Sequence, residues 1–429
     1  MKKYFLFFLV FTSIGMASED FPHNNPKCSG KLKLQSIVEC VLEHSPIYKK
    51  SKLELKAIQG KKIAAGYLFP SNPVLSVSHA YRRQTAADQT LLNPVLQSSI
   101  NGELMLTQEI YIGGQRRGML DVVDAEFAAQ VRRVTVMERE LISQALKSSL
   151  LFKDSIEKYK LILDLYSLSQ DLYKITKGRA DKGLVASIDA DIAKSESIKI
   201  YRLLQIAERE KQINKANLTI MMGVKYNSPL AIQDALPKLS IDTKDADSLI
   251  ELGLQIRGEV IGAEYDIIAA EKRIQLLRKE RIPNLSFSGY VQRDGFNENV
   301  IGAKLAMPLK FFRDNSGEIL EGIAKKEQKL ADQIESKHNV MFEVIQATTN
   351  YNSLKIELEN YSPELMGRIN EDLHSIRKAI LSGQMNIRDA LLTQQSLISL
   401  KLSYIQSKLE YYLSIVEVLR ASGLPFPIG

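Results

Sequence analysis

The side chains that usually carry chemistry are thinly spread in this sequence. Five histidines (His23, His44, His79, His338 and His374) stand at no paired spacing that would make a metal site. No nucleophile motif, phosphate loop or pair of catalytic carboxylates stands out, so the residues point away from an enzyme and imply no cofactor. What does recur is a spacing. "GLVASID" (Gly183 to Asp189) and "GQMNIRD" (Gly383 to Asp389) place an aspartate six residues after a glycine, 200 residues apart. A glycine that turns the chain and an acid in the next helical turn suit a helical hairpin, the acid facing the helix N-terminus. For Asp189 that first-turn role is the expected one.

The elements that must hold these turns are long. The chain has no tryptophan, and its segments rich in Ala, Leu, Ile, Lys, Glu and Gln read as long helices. The pattern predicts helices over Gln115–Lys177 and Ser187–Met222, then over 245–281, 316–381 and 386–421, with a break at Pro363. Near the start, "LKLQSIVECVLEHSP" predicts a short helix that stops before Pro46 and restarts to about Leu68. At ~1.5 Å per residue the helix from Gln115 spans on the order of 90 Å. Each glycine turn therefore lies at one far end of a hairpin, and the chain is no compact globule.

Four segments alternate instead, at about 73–83, 100–112, 284–293 and 300–312. In "PNLSFSGYVQR" Leu285, Phe287 and Val291 face one way, Ser286, Ser288 and Gln292 the other. A period of two over about ten residues is the pattern of a membrane β-strand. The halves also repeat. "PVLSVSHAYRR" aligns with "PNLSFSGYVQR", and Gly223 aligns with Gly423. Each half reads helix, strand, strand, long helix, turn, helix. The divisions are 18–235, with its turn at 178–186, and 236–424, with its turn at 381–386, before a tail at 425–429. Four strands cannot close a barrel, and open sheet edges are not tolerated in hydrocarbon. Two copies would supply eight strands and three would supply twelve with a lumen.

The first residues, "MKKYFLFFLVFTSIGMA", form a secretory signal peptide, residues 1–17: a basic start, an apolar core and small residues at Gly15 and Ala17. Its removal takes the formal charge from +7 to +5, too weak a balance to argue for nucleic acid. No later apolar run is long enough for a transmembrane helix. Cys28 and Cys40 could pair in an oxidising compartment or remain two thiols; the sequence does not choose.

Together the signal peptide, the duplicated halves and the "GLVASIDA" turn resemble the TolC family across about Leu32 to Gly423. "LTQEIYIGGQRRG" (Leu106 to Gly118) is similar to the strand-to-helix junction of the CzcC-like heavy-metal efflux branch. The resemblance implies an α+β membrane protein: a homotrimer with a shared 12-stranded outer-membrane β-barrel, continued by a long periplasmic α-helical barrel. It implies a passive efflux duct served by a periplasmic adaptor and an inner-membrane pump of RND or ABC type, with outer-membrane lipid around the strands. Gly183, Leu184, Val185 and Gly383 match the tips that contact the adaptor, although Gln384 and Met385 do not repeat the aliphatic pair. Asp389 matches an acidic ring at the tunnel entrance, which would favour cations. Leu392 stands where a second acid is found in the family. Ile380 and Met385 replace its latch residues. A protein-secretion duct shares the fold; a periplasmic adaptor would need one helical hairpin set in β-rich flanks, without the duplication.

Overall fold

The computed structural model describes residues 26–81, 100–233, 245–293, 298–382 and 384–427. The leader, the loop "QTAADQTLLNPVLQSS" of the first hairpin and Gly383 lie outside these residues.

The first half runs β1 (Gly30–Leu32), α1 (Leu34–His44), α2 (Pro46–Ala65), β2 (Val74–Tyr81), β3 (Ile100–Ile110), α3 (Gln115–Ala180) and α4 (Ser187–Met221). The second runs β4 (Leu230–Ile232), α5 (Ala246–Ile256), α6 (Gly258–Lys279), β5 (Leu285–Arg293), β6 (Asn299–Ala306), α7 (Ser316–Glu359), α8 (Pro363–Leu381) and α9 (Ile387–Ser422). Pro46 ends α1 as expected, because the residue before a proline is driven out of the helical region. Ser45 is accordingly extended, and its hydroxyl caps α2 by accepting from the Tyr48 N–H at 3.3 Å. The expected single helix over 245–281 is instead two. Arg257 is extended at φ −70° and ψ 132°, and its buried guanidinium is drawn to Glu259 and Glu343, which ends α5 without a proline.

The four long strands form one antiparallel sheet in the order β2-β3-β5-β6. Register puts Val77 opposite Leu104, Leu104 opposite Val291, and Val291 opposite Ile301. With Leu75, Leu106, Phe287 and Leu305 these side chains make one continuous apolar face that is open to the surroundings. The other face is mostly polar, carrying Ser76, Ser78, Glu103, Gln292 and Lys304, with Thr107 and Ser288 hydroxyls 2.8 Å apart. Among the described residues both edges, β2 and β6, are unpaired. The alternation predicts a last strand as far as 312, but β6 stops at Ala306, where its pairing with β5 ends at Ser286. Beyond that point the segment has no partner strand among the described residues, and Pro308 lacks an N–H to bond.

Where sheet-bearing and tip-bearing parts meet, β1 pairs in parallel with β4, Gly30 opposite Leu230. Three-residue strands carry too little alternation to be read from sequence. Cys28 and Cys40 form a disulfide with Cα atoms 5.9 Å apart, inside a core that includes Ile37, Val41, Leu146, Leu218 and Met222. Gly223 and Gly423 end α4 and α9 in the left-handed region, at φ 71° and 83°. A side chain at either would collide, with His44 in one half and Ile256 in the other, 2.5 and 2.6 Å from the added carbon. Both glycines are thus required for conformation and for space.

Candidate functional site

The turn at Gly183 and the segment from Gln384 to Asn386 end the helical hairpins side by side. In the first, α3 closes with the Gly183 N–H on the Ala180 carbonyl and the Leu184 N–H on the Arg179 carbonyl, both 2.9 Å. Gly183 adopts φ 69°, which needs no Cβ, so the stop is a backbone device. Leu184 projects outward and is 65% exposed, while Val185 is half-buried. α4 then starts at Ala186 with no side-chain cap, and Asp189 supplies the acid of its first turn.

The second turn is built differently. α9 is capped by Asn386, whose Oδ1 accepts from the Asp389 N–H at 2.9 Å, while its Nδ2 donates to Asp389 Oδ2 at 2.6 Å. The Asp389 carboxylate is exposed and tied to its own helix start. Met385 packs against the apolar cluster of the hairpins, and Gln384 is exposed. Sequence reasoning passed over Asn386, although an Asn three residues before an acid at a helix start is a capping pattern.

The turns are joined by a link that no sequence spacing could reveal. Arg388 Nε lies 3.5 Å from Asp189 Oδ1, bridging the first turns of α9 and α4. Thr176, Arg179, Val185, Asp189, Met385, Asn386, Ile387 and Arg388 line a cleft of about 410 Å³ between the two turns. The structure therefore brings Val185 and Asp189 together with the Arg388 side of the second turn. Asp389 stays on the outside of that cleft's lining.

Behind the turns, α3, α4, α8 and α9 share an apolar cluster that includes Leu165, Leu172, Ile200, Ile369 and Ile398. Its first-half hydroxyls are satisfied: Gln170 Nε2 donates to Ser197 Oγ at 2.6 Å. In the second half Gln394 is 1% exposed, and neither of its amide atoms bonds another described group. A buried amide in that state costs about 1–3 kcal/mol.

A second polar construction lies toward the sheet. Arg257 bonds Glu259 at 2.6 Å and Glu343 at 2.5 Å, and Arg420 bonds Glu417 at 2.6 Å and Glu343 at 3.3 Å. Arg139 donates to the carbonyls of Leu419 and Leu424, tying α3 to the end of α9. Burial pushes Glu259 and Glu417 up, but their arginine partners outweigh it and hold both carboxyls below the usual range.

No protein-family model matches the sequence, and no curated protein sequence matches it significantly. Solved structures do. The chain is similar to a membrane protein from Pseudomonas aeruginosa, with 17% identity, 92% of this chain and 91% of that one covered, and a TM-score of 0.75. It is similar to the outer membrane protein VceC of Vibrio cholerae, at 16% identity, 92% and 96% coverage and a TM-score of 0.73. The Campylobacter jejuni CmeC outer membrane channel gives 15%, 92% and 86%, and 0.75. These likenesses define a class: the chain has the fold of outer-membrane channel proteins. It is the fold that the resemblance to the TolC family implied.

Proposed function

We propose that this protein is the outer-membrane channel of a tripartite efflux system, a passive duct with no chemistry of its own. The observation that carries the reading is the sheet. Four antiparallel strands with an exposed apolar face, a polar opposite face and two open edges are stable in lipid only as part of a closed barrel. Three copies give twelve strands, a lumen lined by the polar face and an outer wall that buries the apolar one. The chain comprises two repeats, 18–235 and 236–424, behind a signal peptide.

The helical hairpins extend the duct into the periplasm. Gly183, Leu184 and Val185 form the first adaptor-contact tip, where Leu184 offers exposed apolar surface to a partner hairpin. Gly383 belongs to the second tip. Asp389, exposed at the start of α9, would supply one carboxylate per copy to an acidic entrance ring. An inner-membrane pump would supply the energy. Gel migration of purified outer membranes with and without heating tests the reading: an oligomeric band that collapses on boiling is expected. A soluble periplasmic monomer would overturn it.

A further inference from the structure

Among the described residues the polar face of the sheet holds one aromatic side chain, Tyr290 on β5. Register places it directly opposite Gly302 on β6, with Met105 of β3 on its other side. The ring does not stand away from the wall. A carbon added at Gly302 would lie 2.4 Å from both Cζ and Oη of Tyr290 and 2.7 Å from Cε1. The ring therefore lies across the bare backbone of Gly302. That glycine is not among the residues of positive φ, so its conformation does not call for glycine. The space does, as at other strand glycines where a group approaches the backbone closely.

The first hairpin shows that the large residue and the missing one belong together. The alignment of "PVLSVSHAYRR" with "PNLSFSGYVQR" puts Ala80 where Tyr290 stands, and the residue opposite Ala80 is Asn101. Only the second hairpin has the tyrosine, and only there is the opposite residue a glycine. An aromatic laid over a cross-strand glycine restores packing that the glycine alone forfeits. Without that seat a strand side chain stands roughly perpendicular to the sheet. On this face, perpendicular means into the space that a closed barrel would enclose.

We propose that Tyr290 and Gly302 set the free width of the duct at one level of the sheet. Glycine keeps the tyrosine flat on the wall, and a side chain at 302 turns the ring into the lumen. The proposal rests on the duct reading, which makes the polar face the lumen wall, and adds the residues that limit the size of solute passing the strands. The atoms nearest the added carbon are the far end of the ring, so the ring moves to another staggered position and the backbone stays. In three copies the rings sit at one height, so each substitution acts three times on the same section of the bore. The neighbouring rows of this face carry Ser78, Glu103 and Gln292 on one side and Thr107, Ser288 and Lys304 on the other. None of these is a rigid ring, and a displaced tyrosine, with two side-chain torsions, cannot fold away as a lysine can.

Single-channel currents of the full-length protein in planar bilayers, with polyethylene glycols of graded size on the side facing the sheet, read the bore. Gly302→Ala should lower the conductance and the size of the largest polymer that still reduces the current. Gly302→Ala with Tyr290→Ser should restore both at least to wild-type values. An unchanged exclusion size in Gly302→Ala, or a double variant as narrow as the single one, would overturn the proposal. If Gly302→Ala does not assemble, Tyr290→Trp decides instead, because the chain has no other tryptophan and the emission reports this position alone. Iodide should quench it several-fold less than it quenches Gln292→Trp, which lies on the same face opposite Val300. Equal quenching at the two positions would show a ring standing in the lumen and overturn the seat on Gly302. A wild-type protein that inserts without conducting would sink the duct reading itself, a distinct outcome.

Discussion

The two halves of the chain hold equivalent junctions with different chemistry. In the first, the short helix α1 is pinned by the Cys28–Cys40 disulfide and an apolar core. In the second, α5 has no cysteine, and the junction at Arg257 is held by arginine–glutamate pairs. The long helices differ as well. α3 runs 66 residues unbroken, while its counterpart is 44 residues of α7, three residues of break and 19 of α8, the same total length. A duplicated sequence thus keeps its span and its end points while the interior fastenings diverge. The first half is fastened covalently at α1, and its one buried hydroxyl without a described partner is Ser143 on α3. The second relies on charge pairs, a proline-started helix and a buried amide without a partner.

Where the halves agree, damage should be equal and severe. Gly223→Val and Gly423→Val each force a side chain into His44 or Ile256 and into a left-handed backbone. Strain and overpacking together should cost about 2–5 kcal/mol. Loss of folded protein in the outer membrane for both variants is the expected result, and a well-tolerated valine at either would break the equivalence.

Where they differ, each half should fail to its own reagent. Cys28→Ser with Cys40→Ser should cost about 2–4 kcal/mol, read as faster proteolysis around α1 with α5 unaffected. Acid should do the reverse. Glu259 and Glu417 have folded pKa values below the unfolded ones, so their stabilisation is present above the ordinary carboxylate pKa of about 4.3 and is lost as pH falls through the folded values. Hydrogen exchange at α5 and α6 should rise below about pH 4 before that at α1.

Smaller changes sharpen the contrast at the tips. Gln394→Leu removes the unpartnered amide and should stabilise the second hairpin by about 1–3 kcal/mol. Asn386→Ala should weaken the start of α9 by about 1 kcal/mol. Arg388→Gln should cost only about 0–1 kcal/mol, since the bridge to Asp189 is largely solvated. Thermal melts of the three variants would rank them, and a larger loss for Arg388→Gln than for Asn386→Ala would make the bridge a principal fastening.

Much of this architecture was legible because it is periodic. The bounds of α3 and α4, the break at Pro363 and the four long strands follow from apolar spacing, proline and glycine. The split at Arg257 was not, since it comes from two glutamates, one of them on a helix 86 residues away. β1 and β4 were too short to show a period, and Cys28 and Cys40 needed coordinates to pair. At the tips, the glycines and Asp189 stood out in sequence. The Arg388–Asp189 bridge, spanning two hairpins, could only appear once the halves were folded together.

The central claim, a duct continuous from the tips through the sheet, is tested most directly by single-channel recording of the purified protein in planar bilayers. The account predicts discrete conductance steps blocked by multivalent cations, with Asp389→Ala raising conductance or weakening that block. Protein that inserts without conducting would contradict the duct, and unchanged conductance and block in the variant would remove Asp389 from the entrance.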